Sequence, residues 1–144
     1  MICPKCDQNL VMTTIESMQS NEGDFGVIVL KMPILWCCQC GRKQYVYADF
    51  GSDFIDYIFK QIMITSQKDT CKKCSHDISM VQDANEKLNL PIHIKGTFPF
   101  NMEIHGRLRR CPQCQTLQFL GGKNTEFLIP ELLMESFKQT NIQV

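Results

Sequence analysis

Eight of the nine cysteines in this 144-residue chain form four Cys-x-x-Cys pairs: Cys3/Cys6, Cys37/Cys40, Cys71/Cys74 and Cys111/Cys114. Two intervening residues let both sulfurs of a turn face one ion. Two such turns complete a tetrahedral four-thiolate site, with Zn–S near ~2.3 Å. The pairs therefore predict two structural zinc ions per chain, one on Cys3, Cys6, Cys37 and Cys40 and one on Cys71, Cys74, Cys111 and Cys114. A closed set of four thiolates leaves no coordination position for water or substrate, so it supports a fold and not a reaction. Iron is the alternative ion, as in rubredoxin-like turns. Those favour glycine after the second cysteine, where Gly41 fits but Asp7, Ser75 and Gln115 stand in the other turns. A redox dithiol would want its Cys-x-x-Cys in a βαβ setting, which the pattern does not offer.

Cys38 is left over. Paired with Cys40 it would make a poorer Cys-x-Cys turn, and it is expected to be a small buried apolar residue. His76 lies two residues past Cys74 as an alternative ligand, although the eight cysteines already fill two sets. His93 and His105 flank the second hairpin with no nucleophile or carboxylate arrangement around them, and read as surface or strand histidines.

These sites require elements that bring distant pairs together. The cysteine spacing repeats with a period of about 70 residues, the signature of a duplicated unit. The tails after the second pairs also match. Gln44-Tyr45-Val46-Tyr47 precedes Gly51-Ser52, and Leu117-Gln118-Phe119-Leu120 precedes Gly121-Gly122, with Phe54 and Phe127 beyond. Leu10–Ser17 reads as a strand, Asn21-Glu22-Gly23 as a turn and Phe25–Trp36 as the returning strand. Phe98, Phe100, Met102 and Ile104 alternate with Pro99, Asn101 and Glu103 at the strand period of two, and Pro99 favours an edge strand. Asn85–Leu90, mostly polar, fits either a loop or one helical turn.

Phe54, Ile55, Ile58, Phe59, Ile62 and Met63 fall on one helical face, with Ser52 as N-cap and Asp53 and Asp56 in the first turn. A second helix is expected with Pro130 at its first position and Leu132, Leu133 and Phe137 on its apolar side. Each helix is expected to pack on its own ribbon, the alternative being a helix offered to a partner's groove. The expected fold is therefore α+β of small zinc-ribbon type. It comprises two tandem β-hairpin ribbons, 1–68 and 69–144, each followed by an amphipathic helix. A unit of this size gains ~3–5 kcal/mol from its apolar core. A structural zinc contributes an apparent ~10–16 kcal/mol, so the metal decides whether each ribbon folds.

The formal charge is zero, from 15 basic and 15 acidic residues. Eight thiolates and two divalent ions would shift it to about −4, which argues against sequence-independent nucleic-acid binding. Basic residues gather near the turns, at Lys5, Arg42-Lys43, Lys72-Lys73 and Arg107-x-Arg109-Arg110. They either neutralise the anionic thiolate sites or, at Arg107, Arg109 and Arg110, contact nucleic-acid phosphate, with Phe98 and Phe100 the nearest stacking candidates. The chain opens without a basic or apolar leader and contains no apolar run of ~20 residues, which leads to an expectation of a soluble cytoplasmic protein with reduced thiols.

The opening Met-x-Cys-Pro-x-Cys, the hairpin insert, the second Cys-x-x-Cys and the trailing helix make residues 1–65 resemble the YgiT-type zinc finger, the N-terminal half of MqsA-type antitoxins. The resemblance implies a structural zinc at Cys3, Cys6, Cys37 and Cys40 and a ribbon whose surface binds a protein. The family's C-terminal helix-turn-helix has no counterpart here, where a second four-cysteine set stands instead. A looser likeness connects the doubled motifs to some bacterial immunity proteins. Three functions follow: a protein-binding module of antitoxin, immunity or adaptor type, with Trp36 beside the metal turn; a nucleic-acid-binding regulator; and an enzyme. The last lacks a triad, a P-loop, a dinucleotide turn or paired catalytic carboxylates.

Overall fold

In the computed structural model, which describes residues 1–46, 54–62, 69–93, 98–120 and 125–143, the alternating run after the first cysteine pair forms a long hairpin. Strand β1 (Val11–Glu22) pairs antiparallel with β2 (Phe25–Trp36) from Val11↔Trp36 to Glu22↔Phe25. The turn is Gly23-Asp24, so Asn21 and Glu22 belong to the strand and not to the expected turn. Gly23 takes φ +59°, a conformation that costs a residue without a Cβ nothing.

β2 is the central strand of a six-stranded sheet. Besides β1, Gly26–Leu30 of β2 pairs with β5 (Phe100–His105), and Ile34–Trp36 pairs with β3 (Lys43–Tyr45). The change of partner falls around Lys31, whose φ of +57° departs from extended backbone and which is also skipped in the pairing with β1. β4 (Leu88–Ile92) pairs with β5 at one edge, and the short terminal β8 (Ile142–Gln143) runs parallel to β3 at the other. β6 (Leu108–Arg110) and β7 (Leu117–Phe119) form a separate two-stranded sheet. The strand after Pro99 is thus internal, with neighbours on both sides. Proline is accommodated because it precedes the first paired residue, Phe100, and withdraws no ladder donor. The segment left open between loop and helical turn is extended from Leu88 onward.

Helix α1 (Asp56–Gln61) buries Ile58, with Phe54 buried just before it and Ile55, Phe59 and Ile62 packed on the core, as the helical spacing predicts. Met63, the capping Ser52 and Asp53 lie outside the described residues, as do the glycines of both tails and the boundary after residue 68. Helix α2 (Thr125–Gln139) starts earlier than expected, which places Pro130 inside the helix and not at its first position. An interior proline removes one helical hydrogen bond. Tertiary burial of Ile129, Leu132, Leu133 and Phe137 holds the helix despite it.

The described parts of the helices reach across the two halves of the chain. α2 lies against β1 and β2, and α1 contacts β4. The larger apolar cluster spans both halves, with Met18, Val29, Ile34 and Phe54 from the first among Met102, Ile104, Phe119 and Phe137 from the second, and a smaller one gathers Ile78 and Val81 around Cys71 and Cys111. The protein is α+β, mostly sheet, with two helices among the described residues. Among the described residues no helix is long and apolar enough to cross a membrane.

Candidate metal centres

Each Cys-x-x-Cys pair sits in the same backbone turn. The N–H of the first cysteine donates to the carbonyl five residues on: Cys3 to Gln8, Cys37 to Arg42, Cys71 to His76 and Cys111 to Thr116, at 2.7–3.0 Å. The residue after the second cysteine donates back to the carbonyl of the first, from Asp7, Gly41, Ser75 and Gln115 at 2.8–3.0 Å. That residue adopts φ between +60° and +77° in all four turns. The turn therefore requires a left-handed residue at this place whether or not glycine occupies it. A glycine count at these positions does not separate iron from zinc.

The strands carry the turns into register. The second turn of the first set is flanked by Trp36↔Lys43 and Ile34↔Tyr45, and that of the second set by Arg110↔Leu117 and Leu108↔Phe119. Adding 74 to each residue of the first ladder gives the second. The bridges Ile2↔Asn9 and Thr70↔Asp77 flank the first turns in the same way.

The result is two four-sulfur groups, Cys3/Cys6/Cys37/Cys40 and Cys71/Cys74/Cys111/Cys114, each with all sulfurs within 4.8 Å of one another. Cross-pair Sγ···Sγ distances are 3.6 Å (Cys3–Cys40), 3.2 Å (Cys6–Cys37), 3.5 Å (Cys71–Cys114) and 3.5 Å (Cys74–Cys111). Metal–sulfur bonds of about 2.3 Å in a tetrahedron place sulfurs about 3.8 Å apart, so the groups have the dimensions of a metal site. In each pair the first cysteine is buried and the second half-buried.

The acid–base chemistry of the thiols fits a cation. The backbone at Cys40 chiefly draws the Cys37 thiol down to about 6. Burial, the largest influence on Cys71, pushes its thiol up. The backbone of Cys74, the Gln118 amide and the backbone of Lys73 outweigh it and bring Cys71 down to about 6. Cys6 and Cys74 move the other way, to about 12. Backbone hydrogen bonds at Gln8 and His76 favour their thiolates, but neighbouring thiols and burial prevail. Cys3, against the push of its burial, is lowered by backbone bonds at Lys5 and Cys6, and Cys114 is lowered by Thr116, so Cys6 and Cys74 are the thiols whose ionisation needs positive charge among the sulfurs. A divalent ion supplies it. The structure thus presents two groups able to hold metal ions.

Cys38 is exposed, contrary to the expectation of a buried residue, and belongs to neither group. The reason is local. Its place in the turn is that of Pro4, Lys72 and Pro112, all of which face solvent. His76 and His93 are exposed and outside both groups. His105 ends β5 with its Nε2 3.9 Å from Glu103.

The three arginines are brought together, but onto protein acceptors. Arg107 Nε and Arg109 Nε each donate to Asp83 at 3.0 Å. Buried Arg109 also donates through Nη1 to the carbonyls of Ile78 (2.9 Å) and Ser79 (2.7 Å). Arg110 pairs with Glu86 at 2.8 Å and donates to the Gln115 carbonyl. The Arg107 and Arg109 guanidinium groups hold the Asp83 carboxyl below its ordinary range. Of the stacking candidates, Phe100 is in the core and Phe98 is exposed. Lys5, Lys72 and Lys73 are exposed, Arg42 donates to Gln44 and Lys43 to the Thr140 carbonyl.

Sequence reasoning missed Gln118. Fully buried in β7, it donates from Nε2 to the Cys71 sulfur at 2.9 Å and accepts the Lys72 N–H on Oε1 at 2.8 Å. The available signal was a glutamine between two apolar strand residues shortly after a metal turn. Comparison with protein-family models, curated proteins and solved structures finds no match for the chain.

Proposed function

We propose that this chain is a non-enzymatic cytoplasmic module with two structural zinc ions that acts by binding another protein, in the manner of an antitoxin, immunity protein or adaptor. Zinc is favoured because it is the usual occupant of closed four-cysteine sites in reducing compartments. The matching turns and ladders support a duplicated ribbon unit, with strands and a helix attached to each copy. The first copy carries the resemblance to the YgiT-type domain.

One observation carries the protein-binding reading. Met1, Ile2, Val11 and Trp36, beside the first two cysteine pairs in the chain, are large apolar residues left exposed, Val11 and Trp36 at 50% and 37%. Val11 and Trp36 are direct ladder partners and share one face. Clustered exposed apolar side chains are characteristic of a partner surface, and tryptophan is a frequent anchor there. No observation favours the nucleic-acid reading, since Asp83, Glu86 and backbone carbonyls occupy the arginines on which it rested.

The test is a tagged pull-down from lysate of the source cell, washed at low and at high salt, with wild type and Trp36→Ala. A stoichiometric protein that survives high salt and is lost with Trp36→Ala supports the reading. Nucleic acid that washes away with salt, with no protein retained, refutes it.

A further inference from the structure

The two cysteine groups share turns and ladders but differ around one sulfur. Gln44 and Gln118 hold the same place in their ladders, in the middle of β3 and β7. Gln118 is buried with its amide on Cys71. Gln44 is half-exposed, and its Nε2 meets Met1 Sδ at 3.2 Å. The divergence follows from the residue after the first cysteine. In the second group this is Lys72, whose N–H donates to Gln118 Oε1. That bond fixes the amide orientation, because the carbonyl oxygen takes the backbone donor and leaves the NH2 facing sulfur. In the first group it is Pro4, which has no N–H to offer Gln44. The second group is supported again from outside, where Arg109 pins the carbonyls of Ile78 and Ser79 beside the Cys71/Cys74 turn.

From this asymmetry we infer that Gln118 is a positioning residue for the second metal group and makes the two sites unequal: metal on Cys71, Cys74, Cys111 and Cys114 is held tightly, and metal on Cys3, Cys6, Cys37 and Cys40 is the exchangeable one. The inference rests on the zinc reading above. A buried amide on a thiolate fixes the sulfur's direction, draws off part of its charge and makes it a poorer target for a proton. Changes to such outer partners typically alter metal affinity about 10–100-fold.

The experiment follows zinc release from the full chain into excess colorimetric chelator, in wild type, Gln118→Met, Gln44→Met, Lys72→Pro and Lys72→Ala. Proline already stands at the equivalent Pro4 and Pro112, so Lys72→Pro removes the amide's anchor in a turn that accepts it. Wild type is expected to release its zinc in two phases. Gln118→Met and Lys72→Pro should accelerate only the slow phase, by about 10-fold or more, while Gln44→Met and Lys72→Ala leave it unchanged. In the cobalt-substituted chain, Gln118→Met should shift part of the sulfur-to-metal charge-transfer absorption to lower energy, and Gln44→Met should not. Release in one phase, or a slow phase indifferent to both Gln118→Met and Lys72→Pro, overturns the inference and leaves the zinc reading standing. A chain that takes up neither zinc nor cobalt sinks both.

Discussion

The rings of Phe54 and Phe137 stack 6.3 Å apart at 17°, one from the segment leading into α1 and the other from α2. Phe54 also meets Phe100 at 5.7 Å, and Phe137 meets Tyr45 at 5.9 Å, so this aromatic group ties the two halves of the chain. Phe137→Ala is expected to cost about 3–5 kcal/mol. Urea denaturation should show one transition shifted to lower denaturant. Amide exchange should show protection falling in 11–45 as well as in 88–143. Loss confined to the second half would mean that the shared core does not couple them.

Backbone strain at the metal turns gives a second test. Gly41 meets nothing within 4 Å of an added Cβ, so its φ of +77° is the reason glycine suits the place. Ser75 and Gln115 hold φ of +65° with a Cβ. Ser75→Gly and Gln115→Gly should each stabilise the metal-loaded protein by up to about 1 kcal/mol, and Gly41→Ala should destabilise it by about 1 kcal/mol or more. Thermal melts at fixed zinc concentration read the sign. A drop in Tm for both glycine variants would contradict the account.

Arg109 binds a carboxylate and two carbonyls from a largely buried position, so Arg109→Ala should cost about 2–3 kcal/mol through acceptors left unpaired. Asp83 supplies the pH dependence. Its folded carboxyl titrates below the unfolded value. Its stabilisation is therefore fully present above the ordinary carboxylate range, near pH 4, and is lost as pH falls through the depressed folded value. In wild type, protection of 76–84 should hold at pH 5 and decline only below about 4. Asp83→Asn should be less protected than wild type at pH 5, and the gap should close below about 4, on top of the loss both share when acid releases metal. An unchanged profile would remove Asp83 from the explanation.

Adjacent cysteines separate ligand from bystander. Cys37 lies in the first sulfur group and Cys38 does not. Elemental analysis should find Cys38→Ser with full metal content and Cys37→Ser short by one ion per chain. Loss of an ion in Cys38→Ser would reverse the assignment.

What could be read from the sequence was what depends on near neighbours. The Cys-x-x-Cys turns close through hydrogen bonds within five residues, the Val11–Trp36 hairpin forms about a two-residue turn, and Ile58 or Leu133 can be placed by helical spacing alone. The β2–β5 ladder, the crossing of α2 onto β1 and the Phe54–Phe137 stack join residues about 70 or more positions apart, and periodicity does not select among such partners. Arg107, Arg109 and Arg110 looked like a basic patch because charge counting does not show Asp83 and Glu86 folding back over them. Pro130 misled because a propensity rule yields to burial of the helix face it interrupts. Cys38 misled because residue type was weighed above its place in the turn.

The most direct test of the central claim is metal content of the purified full chain by elemental analysis alongside native mass spectrometry. The account predicts two zinc ions per chain, released on acidification or chelation with loss of folded structure. A chain that folds and stays folded without metal, or one coloured by iron in either group, would contradict it.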